Sequence, residues 1–281
     1  MRKAILSVLL LAVAIAAYTQ QTLYATKLNI PYYNDDVIKK DSYIRERCVL
    51  DIYYPQNVKG FSTVMWLHGG GLTAGNKEFP GALKDKNICI VAVNYRLSPR
   101  VKVKECIEDA AVATAWVFNH ISEFGGDPSL IFLSGHSAGG YLSLMIGLDK
   151  NWLKPYNIDA NRIAGLIPLS GQAITHFAVR KERSIADTQP VVDEFAPLFH
   201  VRADAPPLLL ITGDRELELL GRYEENAYLA RMMKLVGHKE TRLLELQGYG
   251  HMMTEPAFPL LLNEVQRITD EKKNTSGKSK K

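Results

Sequence analysis

The chain has 281 residues, 47% of them hydrophobic, which is enough apolar material to bury one large core. Its formal net charge of +4 is carried by the ends: Arg2 and Lys3 open the chain, and residues 270–281 hold five lysines against two acids, leaving the body between them at −1. That balance argues against a basic face for nucleic acid. Met1-Arg2-Lys3, an apolar run over 4–17 and the small-x-small triplet Ala14-Ile15-Ala16 form the pattern of a cleaved secretory signal peptide, too short for a comfortable membrane span. The mature chain is therefore expected to be exported, periplasmic or secreted by a bacterium. An uncleaved N-terminal anchor is the competing reading, and no cysteine follows the apolar run to carry a lipid.

Over 18–269 apolar runs alternate with helical spacing. Strands are predicted over 49–54, 63–67, 88–93, 130–133, 163–169, 207–212 and 241–246, and helices over 104–118, 138–148, 222–236 and 259–268. The alternation predicts an α/β domain, a mostly parallel central sheet with helices on both faces, without internal repeat or second-domain boundary. Residues 172–196, with His176, Phe177, Arg180, Lys181, Arg183 and Pro190, fit neither pattern although they lie between two core strands. A connection of that length is either functional or a plain surface loop. Residues 270–281 read as a disordered, solvated lysine-rich tail. Cys48, Cys89 and Cys106 lack metal-ligand spacing, Cys89 reads as a small buried hydrophobe, and a single disulfide stays open with no pair selected.

Two motifs stand at the ends of predicted strands. Gly135-His136-Ser137-Ala138-Gly139 follows Leu130-Ile131-Phe132-Leu133 and precedes a small-residue helix, which places a serine hydroxyl at the apex of a sharp turn. Such a pentapeptide arises by chance in roughly one chain of this length in ten. His68-Gly69-Gly70-Gly71, after Thr63-Val64-Met65-Trp66-Leu67, is much rarer by chance. Bare glycine N–H groups can approach a substrate and stabilise a tetrahedral oxyanion, and Gly70, Gly71 and the Ala138 N–H are the predicted donors. Together the motifs point to a serine hydrolase that needs no metal or organic cofactor.

With Leu50-Asp51-Ile52-Tyr53-Tyr54-Pro55, Val93-Asn94-Tyr95-Arg96-Leu97-Ser98-Pro99, Glu108-Asp109-Ala110-Ala111 and Phe124-Gly125-Gly126-Asp127-Pro128 added, residues 48–265 resemble α/β-hydrolases of the hormone-sensitive-lipase-like esterases. The similarity extends to bacterial acetyl- and feruloyl-esterases of the BD-FAE type. It implies an α/β-hydrolase fold, a small cap over the site formed by residues 172–196, and hydrolysis of carboxylic esters of small molecules or carbohydrates. A serine exopeptidase on the same fold and a non-catalytic binding relative are the alternatives; oligomeric state is not legible.

A serine hydroxyl needs a histidine base, and the histidine needs a carboxylate to hold its tautomer. In this fold the order is Ser, acid, His. His251 falls in the loop after the last predicted strand, where the base belongs, whereas His238 sits before that strand and reads as a surface cap. The resemblance puts the acid two or three residues after Gly213; here that segment is Asp214-Arg215-Glu216-Leu217-Glu218, so Glu216 is expected, with Asp214 and Glu218 as rivals. His68 and His136 read as braces of their turns, and Arg96 and Asp109 as a structural pair.

Overall fold

The computed structural model describes residues 22–278; the predicted signal segment over 1–17 lies outside the described residues. The strands are β1 (Tyr24–Pro31), β2 (Val49–Pro55), β3 (Phe61–Leu67), β4 (Cys89–Val93), β5 (Gly126–His136), β6 (Gly165–Leu169), β7 (Leu208–Gly213) and β8 (Thr241–Leu246). They form one sheet in the order β1-β2-β4-β3-β5-β6-β7-β8. β2 runs antiparallel to both its neighbours, and every pairing from β4 to β8 is parallel. The helices are α1 (Asp35–Lys40), α2 (Ser42–Arg47), α3 (Val103–Phe124), α4 (Ala138–Leu148), α5 (Phe177–Glu182), α6 (Arg222–Leu235) and α7 (Thr254–Lys278). This is the α/β-hydrolase architecture. Among the described residues no helix is long and apolar enough to cross a membrane.

Strand periodicity divides the core between the two faces of the sheet. Met65, Leu67, Val91, Val93, Ile131 and Leu133 pack against α3 and α4, while Val64, Trp66, Ile90 and Phe132 pack against Phe258, Leu261, Val265 and Ile268 of α7. Both faces are covered, so the central strands read as continuous apolar runs. The segment 172–196 contributes Ala173, Ala178 and Val179 to the core, so more of it is structural than a loop reading implies.

Four expectations change. β1 was not predicted, because an edge strand with mostly exposed side chains has no apolar signature. The helix expected over 259–268 extends in both directions and takes in 270–278 of the expected tail. There Gln266 bonds Asp270, and Arg267 makes a two-pronged ion pair with Glu271 one turn on. His238 is buried rather than on the surface, tied by its ring nitrogens to the Thr241 hydroxyl and the Ala205 carbonyl. All three cysteines are buried free thiols, so no disulfide forms.

Candidate active site

Ser137 occupies the junction of β5 and α4 with φ 54° and ψ −113°, a left-handed conformation that a non-glycine residue holds only where its surroundings over-determine it. The Ser137 N–H donates to the Leu169 carbonyl at 2.9 Å, and its carbonyl accepts from Tyr141 N–H at 2.9 Å, starting α4. Close approach explains the flanking glycine: a Cβ on Gly139 would lie 1.8 Å from the Leu67 carbonyl oxygen. The helix begins beside the serine, so Ala138 is its first residue and the positive end of the helix dipole lies at the elbow.

His251 reaches the same cleft from the loop after β8. Its Nδ1 lies 2.9 Å from Glu218 Oε2, and the Glu218 side chain is 1% exposed. Glu218 Oε1 accepts from the Ser170 hydroxyl at 2.5 Å and the Gly213 N–H at 2.9 Å, and Oε2 from the Leu219 N–H at 3.1 Å. Burial alone would raise the Glu218 pKa, but the hydrogen bonds from His251, Ser170 and Gly213 hold it at about 2. An ionised acceptor facing Nδ1 assigns the hydrogen to that nitrogen and leaves Nε2 as a lone pair.

The carboxylate beside His251 is therefore Glu218, not the expected Glu216. After β7 the chain makes one helical turn, with the Leu217 and Glu218 N–H groups both bonded to the Asp214 carbonyl at 2.9 Å. That turn swings position 218 back over the strand end and leaves Glu216 exposed to solvent. Asp214 ties loops together: its carboxylate accepts from Glu216 N–H at 2.9 Å and Gly248 N–H at 2.8 Å.

Gly70 and Gly71 line the cleft together with Ser137 and have φ of +108° and +63°. A Cβ on Gly70 would fall 2.2 Å from the Ala74 carbonyl oxygen, so the turn excludes any side chain there. Phe177, from α5, covers Gly71 and is the residue of the expected cap that lines the cleft. The cleft encloses about 720 Å³ and is lined by Ser137 and His251, by the apolar side chains of Phe177, Leu219 and Met252, and by the polar ones of Asn76, Lys77 and Glu78. Ser137 Oγ makes no hydrogen bond among the described residues; catalytic contacts of this kind often close only around substrate.

Histidines 68 and 136 brace, as expected. His136 Nε2 donates to the His251 carbonyl at 2.8 Å, linking the elbow to the His251 loop, and burial pushes its pKa down to about 4. Arg96 and Asp109 form a two-pronged ion pair at 2.8 and 2.9 Å beneath the site. Two contributors were not predicted. Ser170, fully buried at φ 49°, touches both Glu218 and His251 Nδ1, the latter at 3.0 Å. Its only sequence signal is a polar residue ending an apolar strand. Arg47, behind the His68 turn, carries no motif at all.

Comparison with known proteins bears on the fold and the family. Solved structures of similar fold include a truncated carbohydrate esterase from gut microbiota, with a TM-score of 0.70 and 17% identity over 90% of this chain and 99% of that one. Esterase B from Lactobacillus rhamnosis superposes with a TM-score of 0.72 and 17% identity over 98% of each chain. In sequence, the probable carboxylic ester hydrolase LipM of Mycobacterium tuberculosis is 32% identical over 169 residues, covering 52% of this chain and 39% of LipM. Esterase LipC of the same organism is 26% identical over 231 residues, covering 72% of this chain and 56% of LipC. The chain thus spans about half the length of these curated relatives, or less. The BD-FAE family model matches residues 50–218, the stretch that carries the glycine turn, the elbow and the buried glutamate. On that match the chain belongs to the BD-FAE family of α/β-hydrolases.

Proposed function

We propose that this protein is a serine carboxylic-ester hydrolase working through Ser137, His251 and Glu218. One observation carries the reading. A buried, ionised glutamate holds the Nδ1–H of a histidine whose free Nε2 shares a cleft with a serine at the apex of a strained elbow. His251 Nε2 takes the Ser137 proton as Oγ bonds to the ester carbonyl carbon, and the carbonyl oxygen becomes an oxyanion beside the N–H groups of Gly70, Gly71 and Ala138. Collapse breaks the ester C–O bond, and the alcohol leaves with the proton from His251. Water, deprotonated by His251, then attacks the acyl-enzyme and releases the acid.

Acetyl or feruloyl esters of carbohydrates or small molecules are the proposed substrates. Family membership and the named esterase relatives support this, as does a cleft lined both by apolar side chains that suit an acyl or aryl group and by polar ones that suit a hydroxylated alcohol. We also propose export, on the basic-then-apolar pattern over 1–17, which would bring the enzyme to polymeric esters. The test is covalent labelling with a fluorophosphonate, together with release of acid from acetylated and feruloylated oligosaccharides beside aminoacyl amides. Ser137→Ala should lose both labelling and turnover. Undiminished labelling of that variant would remove the assignment, and release of amine from the aminoacyl amides with no acid released from the oligosaccharide esters would move the protein to the peptidases.

A further inference from the structure

Three consecutive peptide planes make the His68 turn, and each is held by its carbonyl. His68 O accepts from the Tyr95 hydroxyl at 2.8 Å, Gly69 O lies 2.7 Å from His68 Nδ1, and Gly70 O accepts from the Thr73 and Ala74 N–H groups at 3.0 Å each. In a trans peptide the C=O and the following N–H point in opposite directions. Fixing Gly70 O therefore aims the Gly71 N–H, and fixing Gly69 O aims the Gly70 N–H. The first constraint is local to the turn. The second depends on which ring nitrogen of His68 carries hydrogen, because a bare Nδ1 would repel the Gly69 carbonyl.

Arg47 settles that choice from the end of α2. Its buried guanidinium donates through Nε to the Tyr95 carbonyl at 3.1 Å and through Nη1 to Asn76 Oδ1 at 2.6 Å. Nη2 donates to the Gly75 carbonyl at 3.0 Å and faces His68 Nε2 at 3.4 Å. A guanidinium offers only hydrogens, so the nitrogen it faces must be the lone pair, which leaves Nδ1 to donate to Gly69 O. The imidazole cannot turn away, since it stacks on Tyr95 with centroids 4.3 Å apart and planes 10° from parallel. Gly75 closes the other side: a Cβ there would lie 2.4 Å from His68 Nδ1 and 2.5 Å from Gly69 O. By holding the Gly75 carbonyl, Arg47 keeps the loop pressed on the hydrogen bond it has selected.

We propose that Arg47 is a positioning residue of the oxyanion hole, fixing the His68 tautomer and through it the direction of the Gly70 N–H. The proposal rests on the reaction assigned above to Ser137. Losing one oxyanion donor outright costs about 10²–10³ in turnover, so misaiming one should cost about ten- to a hundredfold.

The experiment compares Arg47→Met and Arg47→Lys with the wild type in ester hydrolysis and in inhibition by a trifluoromethyl ketone. Ser137 Oγ adds to the ketone carbon, His251 takes the proton, and the resulting oxyanion occupies the hole. Both variants should lose kcat about ten- to a hundredfold with KM within about threefold, and the ketone Ki should rise by the same factor as kcat/KM falls. Circular dichroism and thermal melts check that each variant is folded. Folded variants with kcat and Ki within about twofold of wild type overturn the proposal, as does a fall in kcat with unchanged Ki. Failure of both variants to fold assigns Arg47 to the fold and overturns it too. Turnover that survives in Ser137→Ala removes the reaction itself, an outcome distinct from any of these.

Discussion

Glu218 and Glu216 are two residues apart in a segment with three candidate carboxylates, and only the backbone between them decides which one meets His251. The turn closed on the Asp214 carbonyl puts position 218 against the strand end, where His251, Ser170 and Gly213 supply the donors that keep a buried carboxylate ionised. Glu218→Gln should therefore lower kcat by about 10³–10⁴, because an amide can present its NH₂ to Nδ1 and favour the wrong tautomer, while Glu216→Ala should stay within about twofold. Steady-state kinetics on the two variants decides between them, and equal losses would mean that the turn rearranges in solution. Ser137 and His251 were legible because their motifs carry their own geometry: an elbow between strand and helix, and a loop at a fixed place in the chain order. The carboxylate that meets His251 was not, since a helical turn of four residues leaves no signature in Asp214-Arg215-Glu216-Leu217-Glu218. Ser170 was hidden for a related reason, being recognisable only through partners 48 and 81 residues away.

At the level of elements, the site is a consequence of how closely β3, β5 and α4 approach one another. All eleven residues of α4 are buried, and Gly139 is pressed onto the Leu67 carbonyl at a separation that no side chain tolerates. Gly139→Ala should then displace the elbow and destabilise the protein by about 3 kcal/mol or more, whereas Gly81→Ala, with nothing within 4 Å of the added carbon, should stay within about 0.5 kcal/mol. Urea unfolding of both variants measures the contrast, and a small loss at Gly139 would show that the elbow can relax. The central strands and α4 were readable because burial on both faces writes an unbroken apolar run. Elements with weaker ties to the core were misjudged: β1 lies at an edge with its side chains in water, and α7 runs on beyond its apolar stripe through charge pairs such as Arg267–Glu271. The segment over 172–196 touches the cleft through Phe177, which covers Gly71.

Across the whole molecule, the interior holds imidazoles that must stay neutral, and this couples the fold to pH. Burial pushes the pKa of His68 and of His136 down to about 4, and that of His176 well below its usual value, each with at least one ring nitrogen hydrogen-bonded to a neighbour. In the unfolded chain the same groups bind protons near pH 6.5. Between pH 6.5 and 4 the unfolded state therefore takes up protons that the native state refuses, and stability falls as the pH falls, by about 1.4 kcal/mol per pH unit for each imidazole. His68 and His136 alone would each cost about 3 kcal/mol by pH 4, against a total stability of about 5–15 kcal/mol for an ordinary domain. Glu218 adds a second window: its lowered pKa stabilises the fold above pH 4.5, and that contribution drains away as the pH falls toward 2. Acid unfolding should accordingly set in above pH 4, before the carboxylate gives up its charge. The free energy of unfolding in urea, measured from pH 7 to 4.5, should fall with a slope approaching two to three protons per molecule. A flat profile across that range would mean that the buried imidazoles are already charged in the native protein. It would also undo the tautomers on which the His68 turn and the His136 brace depend.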